Sequence, residues 1–354
     1  SWRLILTTIN DVIAEIDGSV GVAAEHFERG DKISHDPDGV YFTASTFKVP
    51  LLVELYRQVD AGKLDLQRRV ELTDGLRVPG SGVLRELGVG IQPTLYDLAL
   101  LMIIVSDNLA TDILYHAVGR DNLNETMERL GLANTRLPMS CRELLFSLAG
   151  EPDVNDSLDS FRRVGDAVEA GYRGLSPNCD ALNEDLSDVS SPNDMIRLLG
   201  MVYKRELLSA DSSDSVLHIL KRQKLKSIIP FYLPPGTIVA HKTGGVKSVR
   251  CDVGIVWSPT GPYSVAIMAK KIGDATDLDS KLARISRLIY DEMAATVRVT
   301  VIAAGFDRWD SDRARKPSRS LFRNTEEKEE GLLADVFGED FDDEDGLEVP
   351  DFLK

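Results

Sequence analysis

Residues 237–271 read TIVAHKTGGVKSVRCDVGIVWSPTGPYSVAIMAKK and contain three strand-like runs. The turn-forming residues at 259–262, Pro-Thr-Gly-Pro, separate the last two runs. An amphipathic helix over 278–293 follows, because Leu278, Leu282 and Ile285 recur at helical spacing. Short connections between consecutive strands predict an antiparallel sheet with a helix packed against it.

A second group of strands is predicted near the start of the chain. The segment GVAAEHF (21–27) and the run DKISHD (31–36) flank a turn at 28–31, which predicts a hairpin. Apolar residues at helical spacing over 4–16 come before it. The long stretch between the two strand regions has mostly helical patterns, although 139–190 is hard to assign beyond one helix over 158–170. We predict an α/β protein of the α+β type, with an antiparallel sheet flanked by helices and an all-helical lobe beside it.

The predicted domain organisation follows from this order. Residues 1–296 form one domain, in which 1–43 and 226–296 make the sheet lobe and 44–225 make the helical lobe. Residues 297–354 add one strand and a disordered tail. From Thr325 to Asp351 the tail has thirteen acidic residues and one basic residue, a composition typical of a solvated segment.

Composition excludes several classes of protein. The chain has 354 residues, 43% of them hydrophobic, and a formal net charge of −16, which makes nucleic acid an unsuitable partner. No run of 18 apolar residues predicts a membrane span. The first residues resemble a helix more than an export signal, which favours the cytoplasm, with secretion or a periplasmic location left open. Three widely spaced cysteines predict free thiols and neither a disulfide framework nor a zinc site, and we expect no cofactor.

Ser45 and Lys48 are the first candidate catalytic pair. They lie three residues apart at the start of a predicted helix, so both side chains share one face. A serine hydroxyl becomes nucleophilic when a nearby base takes its proton, and a lysine can do this when burial depresses its pKa. Taken alone, such a pair occurs by chance in many helices.

Two further polar groups interrupt apolar segments. Ser106-Asp107-Asn108 breaks a strongly apolar helix, where Ser106 could relay a proton and Asn108 could bind a substrate amide. The same residues could also simply end one helix and cap the next. At the end of a strand, Lys242 and Thr243 could hold a carboxylate, and Gly244 and Gly245 allow close backbone approach. That second group could equally be an ordinary strand end with a turn.

Together and in this order, the three groups resemble the motifs of the penicillin-recognising serine enzymes, and among these the class A β-lactamases most closely. The match is STFK at Ser45, SDN at Ser106 and KTG at Lys242, with 61 positions (106 − 45) between the first two serines. It covers roughly residues 1–296. The resemblance implies an acyl-enzyme on Ser45, activation by Lys48 and proton transfer through Ser106.

The resemblance also implies a set of substrate-binding groups. These are the side chains and backbone of Asn108, Lys242, Thr243, Gly244 and Gly245, with the N–H groups of Ser45 and Gly245 forming an oxyanion hole. In class A enzymes a glutamate serves as base for the water that releases the acyl group. Here Glu151-Pro152-Asp153-Val154-Asn155 resembles that glutamate's local motif, but it lies 106 positions (151 − 45) after Ser45, later than the family pattern. Glu143 is nearer the family spacing and lacks the neighbouring Pro and Asn.

The end of the chain resembles a different protein. VRVTVIAAGFDRW (297–309) is similar to the last strand of the bacterial division protein FtsZ, and the acidic linker with LEVPDFLK (347–354) is similar to its C-terminal tail. This implies a fusion and a short apolar motif able to dock into a partner's groove. An inert solubilising tail is the alternative.

The sequence therefore leaves three functional hypotheses. The first is β-lactam hydrolysis through Ser45, with Glu151 as the deacylation base. The second is an esterase or D-Ala peptidase-like hydrolase that deacylates β-lactams slowly. The third is a penicillin-binding-like interaction protein recruited through its tail. We expect a monomer that acts on a small molecule, namely a β-lactam, an ester or a peptide.

Overall fold

The computed structural model describes residues 7–295, apart from 152, 153, 155, 156 and 172–178. Contacts divide the chain into residues 1–298 and 299–354, and every described residue belongs to the first unit. The predicted strand, acidic tail and terminal motif over 297–354 lie outside the described residues. Within the described part of the chain, no helix has the length and apolar character needed to cross a bilayer.

Helices and strands follow one another in the order that the sequence predicts. The described helices are α1 (Ile9–Ala14), α2 (Lys48–Asp60), α3 (Leu95–Ile104), α4 (Asn108–Val118), α5 (Arg120–Arg129), α6 (Cys141–Ala149), α7 (Leu158–Glu169), α8 (Pro192–Tyr203), α9 (Ala210–Lys221) and α10 (Leu278–Met293). The described strands are β1 (Ser19–His26), β2 (Lys32–His35), β3 (Tyr41–Phe42), β4 (Val189–Ser190), β5 (Ile238–Val246), β6 (Val249–Ser258) and β7 (Gly261–Lys270).

Five of the strands form one antiparallel sheet in the order β2-β1-β7-β6-β5. The N-terminal hairpin therefore pairs with the last strand of the C-terminal meander, and Ser19 lies opposite Lys270 at the start of that pairing. This arrangement confirms the predicted sheet built from the two ends of the chain. It places β5, which carries the Lys242 group, at one edge of the sheet.

Each face of the sheet packs against a separate hydrophobic cluster. Alternating residues of β7 divide between them, because successive side chains in a strand point to opposite faces. Val265 and Ile267 face α1 and α10, whereas Ala266 and Met268 face the cluster that includes the helical middle of the chain. Helices therefore cover both faces, as predicted.

The helix α2 is the central helix of the larger cluster. Leu51, Leu52, Val53 and Leu55 are all fully buried, so helices or strands surround it on every side. Burial of one such side chain contributes roughly 1.5–3 kcal/mol. This packing fixes the start of α2, where the candidate nucleophile lies.

The structure adds elements in the stretch that was hard to assign. α6 begins at Cys141 behind the cap Ser140. The Ser140 hydroxyl accepts a hydrogen bond from Glu143 N, while the Glu143 carboxylate accepts one from Ser140 N. β3 and β4 form a separate two-stranded sheet. α9 begins at Ala210 behind the cap Ser209. The helix predicted over 158–170 corresponds to α7.

Candidate active site

Ser45 lies in a 3₁₀ turn, Ala44–Phe47, that leads directly into α2. Its side chain is partly exposed, while Lys48 is fully buried one turn later. Ala44 has a positive φ of 43°, an uncommon conformation for a residue with a side chain. The surrounding core therefore holds this turn in a strained shape that presents Ser45 to solvent while Lys48 stays inside.

The buried amine of Lys48 contacts the second motif. Its Nζ donates hydrogen bonds to Ser106 O at 2.9 Å, Ser106 Oγ at 3.0 Å and Asn108 Oδ1 at 2.8 Å. Burial lowers the pKa of Lys48, and the nearby Cys141, Asp107 and Asp112 partly oppose this shift. A buried lysine with a depressed pKa can act as a proton acceptor.

The hydroxyl of Ser106 contacts two lysine amines. Its Oγ accepts hydrogen bonds from Lys48 Nζ at 3.0 Å and from Lys242 Nζ at 3.1 Å. The residue has a φ of 57°, in the left-handed region, at the break between α3 and α4. This strained backbone turns the hydroxyl toward both lysines, so Ser106 can pass a proton between them.

Lys242 is fully buried on β5. Its Nζ also donates to Thr243 O at 2.6 Å. Burial lowers the pKa of Lys242 well below its ordinary value, repulsion from Lys48 lowers it further, and Asp252 opposes the shift. Because Lys48 and Lys242 both contact the Ser106 hydroxyl, protonation of both amines at once is unfavourable. One of the two amines is therefore able to accept a proton.

Asp107 fixes the loop that covers Ser106. Its Oδ2 accepts hydrogen bonds from Val83 N and Leu84 N at 2.6 Å and 2.8 Å, and its Oδ1 caps α4 through Ala110 N. A Cβ on Gly82 would lie 2.4 Å from the Asp107 carboxyl carbon, so only glycine fits there. The loop brings Ser81 Oγ to 2.7 Å from Ser106 O.

The glycines after Thr243 bring β5 against the turn of the nucleophile. A Cβ on Gly244 would lie 2.7 Å from Thr43 O and 2.9 Å from Ser45 N, distances that no side chain can occupy. The backbone of Gly245 and that of Ser45 therefore lie on adjacent segments. Both residues line the same cavity, where their N–H groups can form an oxyanion hole.

This cavity has a volume of about 380 Å³, which is enough for a small bicyclic ligand. Its described lining comprises Ala44, Ser45, Phe47, Gly80, Ser81, Asn108, Cys141, Leu144, Leu145, Val168, Gly171, Gly245, Val246, Lys247 and Arg250. The structure thus brings Ser45, Lys48, Ser106, Asn108, Lys242 and the Gly244-Gly245 pair together.

Glu151 does not line the cavity of Ser45. It lines a second cavity, together with Arg120, Glu143 and Cys179. Its carboxylate accepts hydrogen bonds from Arg163 Nε at 2.7 Å and Nη2 at 3.0 Å, and these bonds lower the pKa of Glu151. Glu143 is also engaged, because Arg120 Nη2 donates to it at 2.7 Å and 2.8 Å. The structure brings neither carboxylate into the cavity of Ser45.

Sequence reasoning missed four polar or thiol side chains that line the cavity, those of Ser81, Cys141, Lys247 and Arg250. Cys141 places its Sγ 3.5 Å from Asn108 Oδ1, and burial raises the pKa of its thiol to about 12. Ser81, Lys247 and Arg250 also face the cavity. The Gly-Ser-Gly run at 80–82 was the one sequence feature that could have indicated Ser81, because flanking glycines often mark close backbone approach. Within the described ranges no group of three or more His, Cys, Asp or Glu could hold a metal ion.

The family model described as the beta-lactamase enzyme family matches residues 5–293. The chain belongs to this family. Among curated relatives, the beta-lactamase VEB-1 of Pseudomonas aeruginosa is 22% identical over 286 residues, which are 77% of this chain and 85% of the relative. The beta-lactamase regulatory protein BlaB of Streptomyces cacaoi is 21% identical over 306 residues, covering 82% of this chain and 97% of its own.

Solved structures of β-lactamase-like proteins have the same fold. A beta-lactamase from Sphaerobacter thermophilus DSM 20745 is 26% identical with a TM-score of 0.66, covering 80% of this chain and 96% of its own. The protein PBP-A is 25% identical with a TM-score of 0.65, covering 80% of this chain and 93% of its own. The α+β fold predicted from the sequence is confirmed, and the chain is a serine hydrolase of the β-lactamase type.

Proposed function

We propose that β-lactams acylate this enzyme at Ser45 and that water then hydrolyses the resulting ester. The observation that carries the proposal is the buried chain of hydrogen bonds from Lys48 through Ser106 to Lys242, beside a cavity that exposes Ser45. Acyl transfer requires a nucleophile, a proton acceptor and a proton donor for the leaving group. Ser45, the buried amine of Lys48 and the Ser106 hydroxyl that contacts Lys242 can supply them.

In the acylation step, the Ser45 oxygen attacks the lactam carbonyl carbon and its proton passes to Lys48. The carbon–nitrogen bond of the ring breaks when the tetrahedral intermediate collapses. The leaving nitrogen takes its proton from the Ser106 hydroxyl, and Lys48 or Lys242 returns a proton to Ser106. Because both amines contact Ser106 Oγ within 3.1 Å, this transfer needs no rearrangement of the chain.

Substrate orientation comes from the surrounding groups. The N–H groups of Ser45 and Gly245 stabilise the oxyanion, and each such donor contributes roughly 10²–10³ in rate. Asn108 holds Lys48 through its Oδ1 and binds the substrate amide, while Lys242 and Thr243 attract the ring carboxylate. Gly244 supports the oxyanion hole by allowing β5 to approach Thr43 and Ser45.

Release of the acyl group distinguishes two candidate functions. If Glu151 is the base for the hydrolytic water, it must leave Arg163 and reach the cavity of Ser45. Its two hydrogen bonds to Arg163 instead favour the second candidate, an esterase or D-Ala peptidase-like hydrolase that releases β-lactams slowly. Membership in the beta-lactamase family supports the first candidate, β-lactam hydrolysis with Glu151 as the deacylation base.

A chromogenic cephalosporin tests both candidates in one experiment. In the wild type, we expect a rapid burst of about one equivalent, followed by a steady rate that reports deacylation. Ser45→Ala should abolish the burst. Glu151→Gln should abolish the steady rate if Glu151 is the base, and should leave it unchanged if it is only a partner of Arg163. A wild type with no burst and no steady turnover would refute the proposal.

A further inference from the structure

The connection between α9 and β5 carries a group of exposed cations. Residues 221–226 read KRQKLK, and the four cationic side chains in this run are all exposed. None of the four forms an ion pair within the described part of the chain. No aspartate or glutamate occurs between Asp214 and Asp252, in a chain whose formal net charge is −16. This stretch therefore presents positive charge that its neighbours along the chain do not neutralise.

Large apolar side chains are exposed on the same connection. Phe231 is 57% exposed and Ile238, the first residue of β5, is 52% exposed, while Leu225 and Tyr232 are also exposed. The rings of Phe231 and Tyr232 pack edge to face, with their centroids 4.8 Å apart. A group of exposed apolar side chains indicates a surface that binds a partner, whereas a single one does not.

The two ends of the connection lie side by side. Lys221 Nζ, at the end of α9, is 4.3 Å from the centroid of the Trp257 ring. Trp257 pairs with Ile238 across β5 and β6. The chain between Lys221 and Ile238 is therefore a closed loop at the edge strand of the sheet. We call residues 221–226, Phe231, Tyr232 and Ile238 together the basic-aromatic surface.

Hydrogen bonds to the core fix the backbone of this loop. Gln223 Nε2 donates to Ile103 O at 2.9 Å, and Ile229 N donates to Asp252 Oδ2 at 2.9 Å. Both Gln223 and Ile229 are buried. Because these two residues anchor the loop from inside, the cations and rings between and beside them are held at the surface of the protein.

We propose that the basic-aromatic surface binds an anionic lipid bilayer, with its lysines on the headgroups and Phe231 at the boundary between headgroups and acyl chains. This inference is independent of the proposed acylation of Ser45. Each cation close to an anionic bilayer strengthens binding about fivefold. Exposed aromatic rings bind at the level of the headgroups. A bilayer thus matches both the cations and the rings, whereas an acidic peptide matches the cations alone.

Sedimentation of the full-length protein with lipid vesicles tests the surface. Vesicles of equal parts phosphatidylglycerol and phosphatidylcholine are compared with vesicles of phosphatidylcholine alone. At about 0.1 M salt, where acidic residues more than ~10 Å away are screened, we expect the anionic vesicles to bind at least about tenfold more tightly. Raising the salt to about 0.5 M should weaken this binding.

Three variants remove parts of the surface. Lys224→Gln and Lys226→Gln should each weaken binding to the anionic vesicles about fivefold, because each removes one cation. Phe231→Ser should weaken it about tenfold, because it removes the apolar group that enters the boundary region. All three side chains are exposed, so the melting temperatures should equal that of the wild type.

Two matched controls remove an exposed lysine and an exposed apolar residue elsewhere. Lys63→Gln should preserve binding, because Ser209 N donates to Asp60 Oδ2 and places the end of α2 at the start of α9, about 18 Å from Lys221. Val89→Ser should preserve it as well. Val89 is 58% exposed and comes before the start of α3, whereas the basic-aromatic surface adjoins the end of that helix.

Three results would overturn the proposal: equal binding to both kinds of vesicle, binding to neither, or binding that all three surface variants preserve. Soluble poly-glutamate serves as a further probe. Binding to poly-glutamate without binding to the anionic vesicles would also overturn the proposal and would indicate an acidic protein as the partner. Acylation of Ser45 by benzylpenicillin is measured separately in solution, so its failure would leave the membrane proposal standing.

Discussion

At the scale of single residues, the proposed chemistry depends first on the environment of Lys48. This lysine is fully buried, donates three hydrogen bonds to Ser106 and Asn108, and has a pKa lowered by burial. These acceptors lie at the break between α3 and α4 and on the first residue of α4. The proposed chemistry therefore depends on a contact between two segments that are 58 residues apart in the chain.

Replacing Lys48 with alanine should slow acylation of Ser45 by at least about 100-fold, because a positioned proton acceptor contributes roughly 10²–10⁴ in rate. Burst kinetics with a chromogenic cephalosporin measure this rate. Lys63→Ala, which removes an exposed lysine, serves as the control and should acylate at the wild-type rate. An acylation rate within threefold of the wild type in Lys48→Ala would show that another group activates Ser45.

The three free cysteines should differ in reactivity. Burial raises the pKa of both Cys141 and Cys251 to about 12, so their thiols stay protonated at pH 8, while Cys179 is partly exposed. Since the thiolate is the reactive form, iodoacetamide should modify Cys179 first in the native protein. Peptide mass mapping after brief alkylation checks this order. Early modification of Cys141 would mean that reagents and water reach the floor of the cavity.

At the scale of elements, β5 lies in close backbone contact with the turn of Ser45. A methyl group on Gly244 would meet two backbone atoms, Thr43 O and Ser45 N, and backbone cannot move aside as a flexible side chain can. Gly244→Ala should therefore cost about 1–3 kcal/mol of unfolding free energy and slow acylation. Urea unfolding and burst kinetics measure the two effects.

The matched control is Gly165→Ala in α7. A methyl group there would meet no atom within 4 Å, so alanine should stabilise the helix by about 0.5–1 kcal/mol and leave acylation unchanged. Equal effects of the two substitutions would show that the close approach of β5 to the turn of Ser45 is not needed.

The elements that carry the candidate site were predictable because each motif is local and breaks a regular pattern. Ser106-Asp107-Asn108 interrupts an apolar helix, and Lys242 ends a strand-like run, so both stand out against their surroundings. α6 was missed although Ser140 and Glu143 form a capping box, since the neighbouring loops contain no regular apolar repeat. The placement of Glu151 could not be read from its local motif, because its partner Arg163 lies on a helix twelve residues later.

At the scale of the whole molecule, the antiparallel sheet joins the two ends of the described chain, as the strand patterns at both ends predicted. The order of the strands within the sheet was not predicted. The residues that line the cavity were not predictable, because Lys247, Arg250 and Cys141 come from segments whose packing depends on the complete fold. The role of Asp112, which links α4 to α6 by hydrogen bonds, was not predictable either. Its carboxylate accepts hydrogen bonds from Cys141 N at 2.7 Å and Arg142 N at 3.0 Å.

Asp112 should make global stability depend on pH. Burial raises its pKa from 3.8 to about 6, so between these values the folded state holds a proton that the unfolded state has lost. Its contribution is therefore complete below pH 3.8 and is lost as the pH rises through about 6, by about 3 kcal/mol in total. Urea unfolding of the wild type and of Asp112→Asn at pH 4.5 and 7 measures the change. The asparagine variant should lose less stability over this interval, and an equal loss in both proteins would contradict the assignment.

Acylation of Ser45 is the central claim, and the intact mass of the protein tests it most directly. The protein is quenched within seconds of mixing with benzylpenicillin, weighed by mass spectrometry and mapped by proteolysis. We predict a gain equal to the mass of one whole penicillin, located on the peptide that contains Ser45 and absent from Ser45→Ala. An adduct on another residue, or an equal adduct in Ser45→Ala, would contradict the account.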